Sequence, residues 1–311
     1  MNKIGVHSMG LRFRYATAKE LDEKYKMIKD AGFDCVDFGF DEYLPVNDVY
    51  GDRIDTVLEL PLEEAWKTFE PHFDAAKRHG ILFEQMHAPF PMFVEGREDL
   101  SERMFNIIVN SMEICACMGG KYIVVHPVTM AYHCSKQEEH DANVAVYKEL
   151  IPTARKCGLV ICLENLFLEK NYHMMEGFGS DFREASELID ELNEYAGEEV
   201  FGFCFDVGHA NLLGKNMYQA LLTPGNRLKI LHIHDNDGIS DLHTMPYTFA
   251  RSWSGSSTDW EGFLKGLKEI QYQGVLSFET ARCMEGFPVE LHPAVLNLLC
   301  QTGKYFAKHI S

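Results

Sequence analysis

Possible metal ligands are concentrated in one short stretch, residues 231–243, which reads LHIHDNDGISDLH and contains three histidines and three aspartates. Imidazoles and carboxylates without thiolates suit Zn²⁺, Mn²⁺, Co²⁺ or Fe²⁺ in an open catalytic site. The largely apolar run LKIL at 228–231 leads into the cluster, so its polar residues follow a predicted strand. Because α/β enzymes keep their catalytic groups at the carboxyl ends of strands, the stretch predicts a metal site there.

Six predicted strands in succession end in a possible metal ligand. These residues are His87, His126, Glu164, Asp206, His232 and Glu279. The intervals between them run from 26 to 47 residues, about one βα unit each, so a parallel barrel would bring all six to one mouth. A single polar residue at a strand end is usually a hydrogen-bonded cap or a core residue, but six in succession favour a shared metal site.

Two closely spaced pairs extend this set. Asp206 and His209 are three residues apart in FDVGHANL, and Asp241 and His243 are two apart in SDLH, on a probable loop. Residues two apart in an extended segment point to the same side, so one ion could bind both members of the second pair. The side chains of His232 and His234 are also two residues apart and therefore point to the same side of their strand. We expect His232 to bind the metal, and His234 with Asp235 to support the ligands or contact the substrate.

Eight short apolar runs alternate with helical patterns along the chain. The runs are KIGVH, DCVDF, ILFEQMH, KYIVVH, LVICLE, VFGFCFD, LKILHIH and GVLSFE. Eight strands alternating with helices predict an α/β fold, a (β/α)8 TIM barrel, formed as a single domain over residues 1–311. Capping boxes beginning at Thr17 (TAKE) and Thr258 (TDWE) predict two helix starts, and Gly32, Gly80 and Gly158 predict helix ends.

Composition restricts the class of protein. The 311 residues include 29 basic and 47 acidic side chains, and the formal net charge of -18 argues against a broad basic surface for nucleic acid. The nine cysteines contain no CxxC pair, so neither a disulfide framework nor a zinc finger is indicated. No run approaches the roughly 20 apolar residues of a membrane span. We therefore expect a cytoplasmic protein with no membrane partner, and we expect His72 and His140, on predicted helices or loops, at its surface.

The stretches MHAPF, VVHP, LENL, FDVGH, LHIHDNDG and SFE together resemble the xylose isomerase-like TIM-barrel superfamily. This superfamily contains sugar isomerases, ketose 3-epimerases and endonuclease IV-type enzymes, and the resemblance covers nearly the whole chain. In the isomerases and epimerases, two glutamates, an aspartate and a histidine hold a central metal. The resemblance places these ligands at Glu164, Asp206, His232 and Glu279. The endonuclease branch binds further zinc ions, which implies additional ligands at His87, His126, His209, Asp241 and His243.

The sequence near the third and seventh strands bears on the choice between these branches. The loop after His87 reads APFPMF, which is similar to sugar-enzyme members and lacks the tyrosine and asparagine usual in endonucleases. The loop HTMPYTFARSWSGSSTDW departs from the sugar enzymes in its length, and their arginine after the seventh strand has no close counterpart here. We expect a divalent metal, Zn²⁺ or Mn²⁺, in an isomerase or epimerase of a sugar or sugar derivative. The alternatives are a zinc-dependent phosphodiesterase like the AP endonucleases and a non-catalytic sugar- or metal-binding barrel.

Roles follow for individual residues if the sugar-enzyme branch is correct. Glu164 and Glu279 would remove and return a proton at carbon while the ion polarises the carbonyl, although a hydride shift would use the same polarisation. The expected substrate contacts are His209, His234, Phe167 and Trp253. The expected partner is a small-molecule sugar, with nucleic acid unfavoured, and family practice implies a homo-oligomer.

Overall fold

The computed structural model describes residues 2–131, 133–251 and 255–311, and eight parallel strands form its centre. They are β1 (Ile4–His7), β2 (Cys35–Gly39), β3 (Gln85–His87), β4 (Tyr122–Val124), β5 (Val160–Glu164), β6 (Phe201–Asp206), β7 (Leu228–His232) and β8 (Leu276–Phe278). The strands are paired in the order β8-β1-β2-β3-β4-β5-β6-β7. Ile233 joins the two ends, because its N–H donates to Ser277 O and its carbonyl accepts from Glu279 N. The sheet is thus nearly closed, and the predicted (β/α)8 TIM barrel is confirmed.

Helices connect the strands and cover the outside of the barrel. In the part of the chain that the structure describes, the α-helices are α1 (Ala18–Ala31), α2 (Val46–Tyr50), α3 (Leu62–His79), α4 (Glu98–Cys117), α5 (Lys136–Cys157), α6 (Phe182–Ala196), α7 (Val207–Leu212), α8 (Met217–Leu222), α9 (Trp260–Glu269), α10 (Ala281–Glu285) and α11 (His292–Ile310). None of these helices combines the length and the apolar character that crossing a membrane requires.

Local signals explain where several helices begin and end. Thr17 caps α1 in the predicted capping box, and Gly32, Gly80 and Gly158 end α1, α3 and α5 in the left-handed conformation, as predicted. The second predicted capping box, which placed the N-cap of α9 at Thr258, is wrong by one residue. Asp259, whose side chain accepts from Gly262 N, caps α9, because the hydroxyl of the preceding threonine donates to Asp235 instead.

The interior of the barrel is arranged in layers along the strands. One side chain from each of β4 to β7 contributes to a buried apolar layer that consists of Val124, Cys162, Cys204 and Ile230. Two residues further along the chain lie His126, just after β4, and Glu164, Asp206 and His232, the last residues of β5, β6 and β7. Because residues two apart on a strand point to the same face, the pleat carries these four predicted ligands into the barrel mouth, one layer above the apolar side chains.

Two small hairpins lie among the loops of the chain. Phe167–Lys170 pairs with His173–Glu176 after β5, and Ala250–Arg251 pairs with Gly255–Ser256 in the connection between β7 and α9.

The predicted surface position of His72 is wrong. This residue of α3 is buried, and its ring contacts the hydroxyls of Tyr43 at 2.8 Å and Tyr25 at 3.3 Å. Those two hydroxyls give an apolar-facing imidazole its hydrogen-bond partners inside the core. His140 is partly exposed, and its Nε2 lies 3.2 Å from a carboxylate oxygen of Glu191.

Candidate metal centre

Four of the predicted ligands meet at the centre of the mouth. One ligand atom from each of Glu164, Asp206, His232 and Glu279 lies within 4.8 Å of the others. Nδ1 of His232 is 3.4 Å from Glu164 Oε1, 3.4 Å from Glu279 Oε2 and 4.0 Å from Asp206 Oδ2. Ligand atoms about 2.1 Å from a tetrahedral zinc are themselves about 3.4 Å apart, so these four groups match the dimensions of such a site.

The buried polar atoms of this centre also fit a cation. Nδ1 of His232 and Oε2 of Glu164 are buried and have no hydrogen-bond partner among the described residues. Burial alone would raise the pKa of Glu164, but the charge of His232 and the close approach of His126 and His87 lower it well below its ordinary value. The surroundings therefore favour positive charge among these side chains, which a divalent ion would supply in exchange for protons.

Asp37 supports His232 from below the site, and sequence analysis did not find it. Its Oδ2 lies 3.5 Å from Nε2 of His232 and accepts hydrogen bonds from Ser277 Oγ and Gln85 Nε2. Burial opposes ionisation, but His232 and His7 lower the pKa of Asp37 to about 2. An ionised carboxylate at Nε2 keeps a proton on that nitrogen and leaves the lone pair of Nδ1 directed at the four-residue centre.

A second group of possible ligands lies beside the centre. Ligand atoms of His209, His234, Asp241 and His243 are all within 4.8 Å of one another. Oδ2 of Asp241 lies 2.9 Å from His243 Nε2 and 3.7 Å from His209 Nε2. Burial alone would lower the pKa of His243, but the carboxylates of Glu279 and Asp241 raise it to about 9. This group thus also favours a bound cation.

His87 and His126 form a third group around the other oxygen of Glu164. Their Nε2 atoms are 3.4 Å and 3.2 Å from Glu164 Oε2 and 3.1 Å from each other. Nδ1 of His87 donates to Ala88 O, which leaves Nε2 as the nitrogen that faces the carboxylate. The structure therefore brings together all nine residues that the resemblance implies as ligands, in three adjoining groups, two of which include Glu164.

The turn after β6 explains the positions of Asp206 and His209. Asp206 ends β6 and caps α7, where its side chain accepts from His209 N at 2.6 Å. The ring of His209 then reaches back over the mouth, and its Nδ1 donates to Asn165 O at 2.8 Å. Its Nε2 is left facing Asp241, where it can bind an ion or donate to a substrate oxygen.

His234 lies behind Asp206 and is completely buried. Its Nε2 is 3.0 Å and 3.1 Å from the two carboxylate oxygens of Asp206, and its ring stacks on His243 with centroids 4.0 Å apart. A Cβ at Gly208 would collide with this ring, so the glycine of FDVGH provides the space that His234 occupies. This position is suited to holding Asp206, and the residue is not among those that line the cavity described next.

A cavity of about 290 Å³ opens above the three groups. Its lining is formed by His7, Met9, Asp41, His87, Phe90, His126, Glu164, Leu166, Phe167, His209, Asp241, His243 and Glu279. Phe90 stacks on His126 with centroids 4.4 Å apart, and Phe167 meets the ring of His209 at 5.0 Å. Two aromatic rings and a wall of polar groups suit a small molecule that has both apolar and hydroxylated faces. Trp253, also predicted to contact substrate, lies outside the described residues.

The chain is similar in sequence to a sugar enzyme and to a nuclease. It is similar to inosose isomerase of Bacillus subtilis (strain 168), with 28% identity over 176 residues, 55% of this chain and 58% of that protein. It is similar to a probable endonuclease 4 of Nitrosopumilus maritimus, with 28% identity over 169 residues, 49% of this chain and 55% of that protein. The chain thus matches less than two thirds of the length of each of these relatives.

Structural comparison agrees with the barrel described above. The crystal structure of a D-tagatose 3-epimerase-like protein superposes with a TM-score of 0.66 at 20% identity, covering 96% of this chain and 99% of the other. The family model for the xylose isomerase-like TIM barrel matches residues 25–294. The protein therefore belongs to the xylose isomerase-like TIM-barrel family.

Proposed function

We propose that the protein is a divalent-metal-dependent isomerase or epimerase that acts on a sugar or sugar-derived ketone. The observation that carries this proposal is the buried centre of Glu164, Asp206, His232 and Glu279, which opens into a cavity of about 290 Å³. Ligand cavities start at roughly this size, so it admits one small molecule with little room beyond the reacting part. Similarity to an inosose isomerase and to a 3-epimerase-like protein supports the same class of substrate.

The chain's own residues provide the groups that such a reaction needs. A divalent ion bound at the centre would polarise a substrate carbonyl and stabilise negative charge on its oxygen. Glu164 and Glu279 line the cavity from β5 and from the end of β8, so carboxylate oxygens approach the substrate from two strands. We propose that one removes a proton from the carbon beside the carbonyl and that the other returns it. Phe90 and Phe167 would hold the apolar face of the substrate and exclude water.

Zinc-dependent phosphodiester hydrolysis is the second candidate. Two observations support it. Nine possible ligand residues converge in three groups, and the chain is similar to a probable endonuclease 4. Two or three ions at such groups would generate hydroxide and hold phosphate oxygens. The small cavity and the net charge of -18 favour the sugar reaction over binding of a polyanion.

The first test is elemental analysis of protein purified without chelator or added metal, followed by turnover assays in heavy water. We expect about one firmly held divalent ion per chain and conversion of inosose, D-psicose or D-fructose to an isomer that carries solvent deuterium at carbon. Isomerisation without deuterium would indicate a hydride shift at the same centre. Two or three zinc ions per chain together with cleavage of abasic DNA, and no sugar turnover, would replace the proposal with the hydrolase.

A further inference from the structure

His7 presents an unused hydrogen-bond donor to the cavity. The residue ends β1, is 2% exposed and lines the cavity. Its Nδ1 accepts the backbone N–H of Met9 at 3.1 Å, which leaves Nε2 as the nitrogen that can donate. Nε2 is buried and has no hydrogen-bond partner in the described part of the chain. A buried donor of this kind costs stability unless a bound molecule satisfies it.

Asp41 presents an unused acceptor next to His7. It lies in the single turn of helix that follows β2, Phe40–Glu42, and it lines the same cavity. Its Oδ1 is buried and likewise has no hydrogen-bond partner among the residues the structure describes. The two unused groups are close together, since a Cβ placed on Gly39 would collide with Asp41 Oδ1 and lie 3.0 Å from His7 Nε2.

Gly39 makes room for the side chains of His7 and Asp41. Its φ of -87° is ordinary for any residue, so the backbone does not require a glycine there. A side chain at this position would displace Asp41 Oδ1 and the edge of the His7 ring, so the glycine allows both groups to lie against its backbone. The three residues Gly39, His7 and Asp41 therefore frame one polar corner, which we call the β1–β2 corner.

The β1–β2 corner adjoins the metal centre but is separate from it. The ring of His7 lies 6.2 Å from that of His232 and 6.4 Å from that of His87. Among the described residues, none of the groups of three or more possible ligands includes His7 or Asp41. A substrate whose carbonyl lay at the centre would thus reach the corner with a more distant part of its carbon skeleton.

We infer that the β1–β2 corner binds a hydroxyl group, or two adjacent hydroxyls, of an unphosphorylated polyol substrate. This inference rests on the proposed sugar reaction and names the substrate class more narrowly. A substrate hydroxyl donates to Asp41, and the oxygen of the same or the next hydroxyl accepts from Nε2 of His7. A phosphate ester fits poorly, because its charge would face the carboxylate of Asp41, and the described lining of the cavity contains no lysine or arginine.

Four substitutions test the corner. Asp41→Asn removes the carboxylate charge and replaces one of its two acceptor oxygens with an N–H donor. Gly39→Ala displaces Asp41 Oδ1 and the His7 ring from their positions while leaving both residues in the chain. His7→Asn keeps an acceptor for Met9 N–H but removes the Nε2 donor, whereas His7→Gln places an amide N–H near the position of Nε2. The matched controls are Asp30→Asn and His309→Gln, which alter an exposed aspartate and an exposed histidine far from the mouth.

The probes are inosose, D-psicose, D-fructose and D-fructose 6-phosphate, titrated calorimetrically into the metal-loaded enzyme and assayed for turnover. We expect at least one unphosphorylated probe to bind more tightly than the phosphate. For that probe, Asp41→Asn and Gly39→Ala should weaken binding about 10- to 100-fold, as expected for a lost hydrogen bond to a charged group. His7→Asn should weaken it about 3- to 10-fold, and His7→Gln should recover part of that loss. The effect should appear in KM more than in kcat, with metal content unchanged and both controls like the natural protein.

Each remaining outcome decides against one or both proposals. Unchanged binding in Asp41→Asn and His7→Asn, with normal turnover, would overturn the corner and leave the proposed reaction standing. Binding that is lost in the variants, without isomerisation of any probe by the natural protein, would support the corner and overturn the reaction. Absence of binding of all unphosphorylated probes to the metal-loaded protein, or tighter binding of the phosphate, would overturn the corner.

Discussion

Replacement of Asp37 by asparagine should weaken metal binding although Asp37 does not face the metal centre. The side chain is buried, and only its Oδ2 contacts other groups, namely Gln85, Ser277 and Nε2 of His232. In Asp37→Asn the amide oxygen can keep the position of Oδ2, while the amide nitrogen takes the position of Oδ1, which has no hydrogen-bond partner among the described residues. The substitution therefore removes a charge and changes the shape of the site very little.

The magnitude follows from the contact between Asp37 and His232. Groups that orient metal ligands typically change metal affinity about 10- to 100-fold. Among the described residues Nε2 of His232 has no hydrogen-bond partner, so its 3.5 Å contact with Asp37 Oδ2 lies at the low end of that range. We therefore expect roughly a tenfold rise in the dissociation constant of the metal, which corresponds to a loss of about 1.5 kcal/mol. Competition with a chromophoric chelator at pH 7 measures that constant directly.

Two comparisons make the result specific to Asp37. Ser277→Ala removes one of its hydrogen-bond donors and keeps its charge, so the metal affinity should fall by less than in Asp37→Asn. Asp30→Asn, on the exposed face of α1, should leave the affinity unchanged. If Asp37→Asn folds normally and binds metal within about twofold of the natural protein, Asp37 does not orient His232 and our account of the centre is wrong.

Three further predictions concern the chemistry, the packing and the pH dependence. Glu279→Gln should reduce turnover by about 10²- to 10⁴-fold, which is the usual contribution of a general acid or base. Circular dichroism should show that the variant stays folded, and a fully active variant would contradict the assigned role. Gly208→Ala should force the ring of His234 away from Asp206 and lower the free energy of unfolding by about 1–3 kcal/mol. Urea unfolding measures this change, and an unchanged midpoint would show that the ring is free to move. Burial lowers the pKa of His72 to about 4, so the unfolded chain binds its proton first, and stability should fall as pH drops from about 6.5 towards 4. His72→Gln should reduce that slope in chelator-treated protein, and an identical slope in both proteins would assign the pH dependence to other groups.

The parity of residues along a strand explains why the sequence predicted so much of the centre. Each apolar run ends at the barrel mouth, so the last polar residue of the run needs only the regular pleat to face inward. That rule places Glu164 at the end of β5, Asp206 at the end of β6 and His126 two residues after β4, and it requires no knowledge of contacts between distant segments.

Residues that depend on packing between strands were not predictable in the same way. Asp37 lies in the middle of the run CVDFG, and its role depends on neighbouring strands. The pairing of β2 with β3 brings Gln85 to it, and the pairing of β1 with β8 brings Ser277. The cap of α9 was misplaced for the same reason, because a contact of Thr258 with Asp235, 23 residues away, outcompetes the local capping box. Tertiary contacts decide both cases, and one sequence does not show them.

The apolar layer beneath the centre has a consequence for the choice of metal. Cys162 and Cys204 lie two residues before Glu164 and Asp206 on the same strands, and burial raises the pKa of both thiols, so they remain protonated. A shift of two residues in the register of β5 and β6 would exchange oxygen ligands for sulfur ligands at the mouth. The site would then favour thiophilic ions such as Cu⁺ over Mn²⁺. The ions that the proposed centre would accept therefore depend on strand register as much as on the composition of the strands.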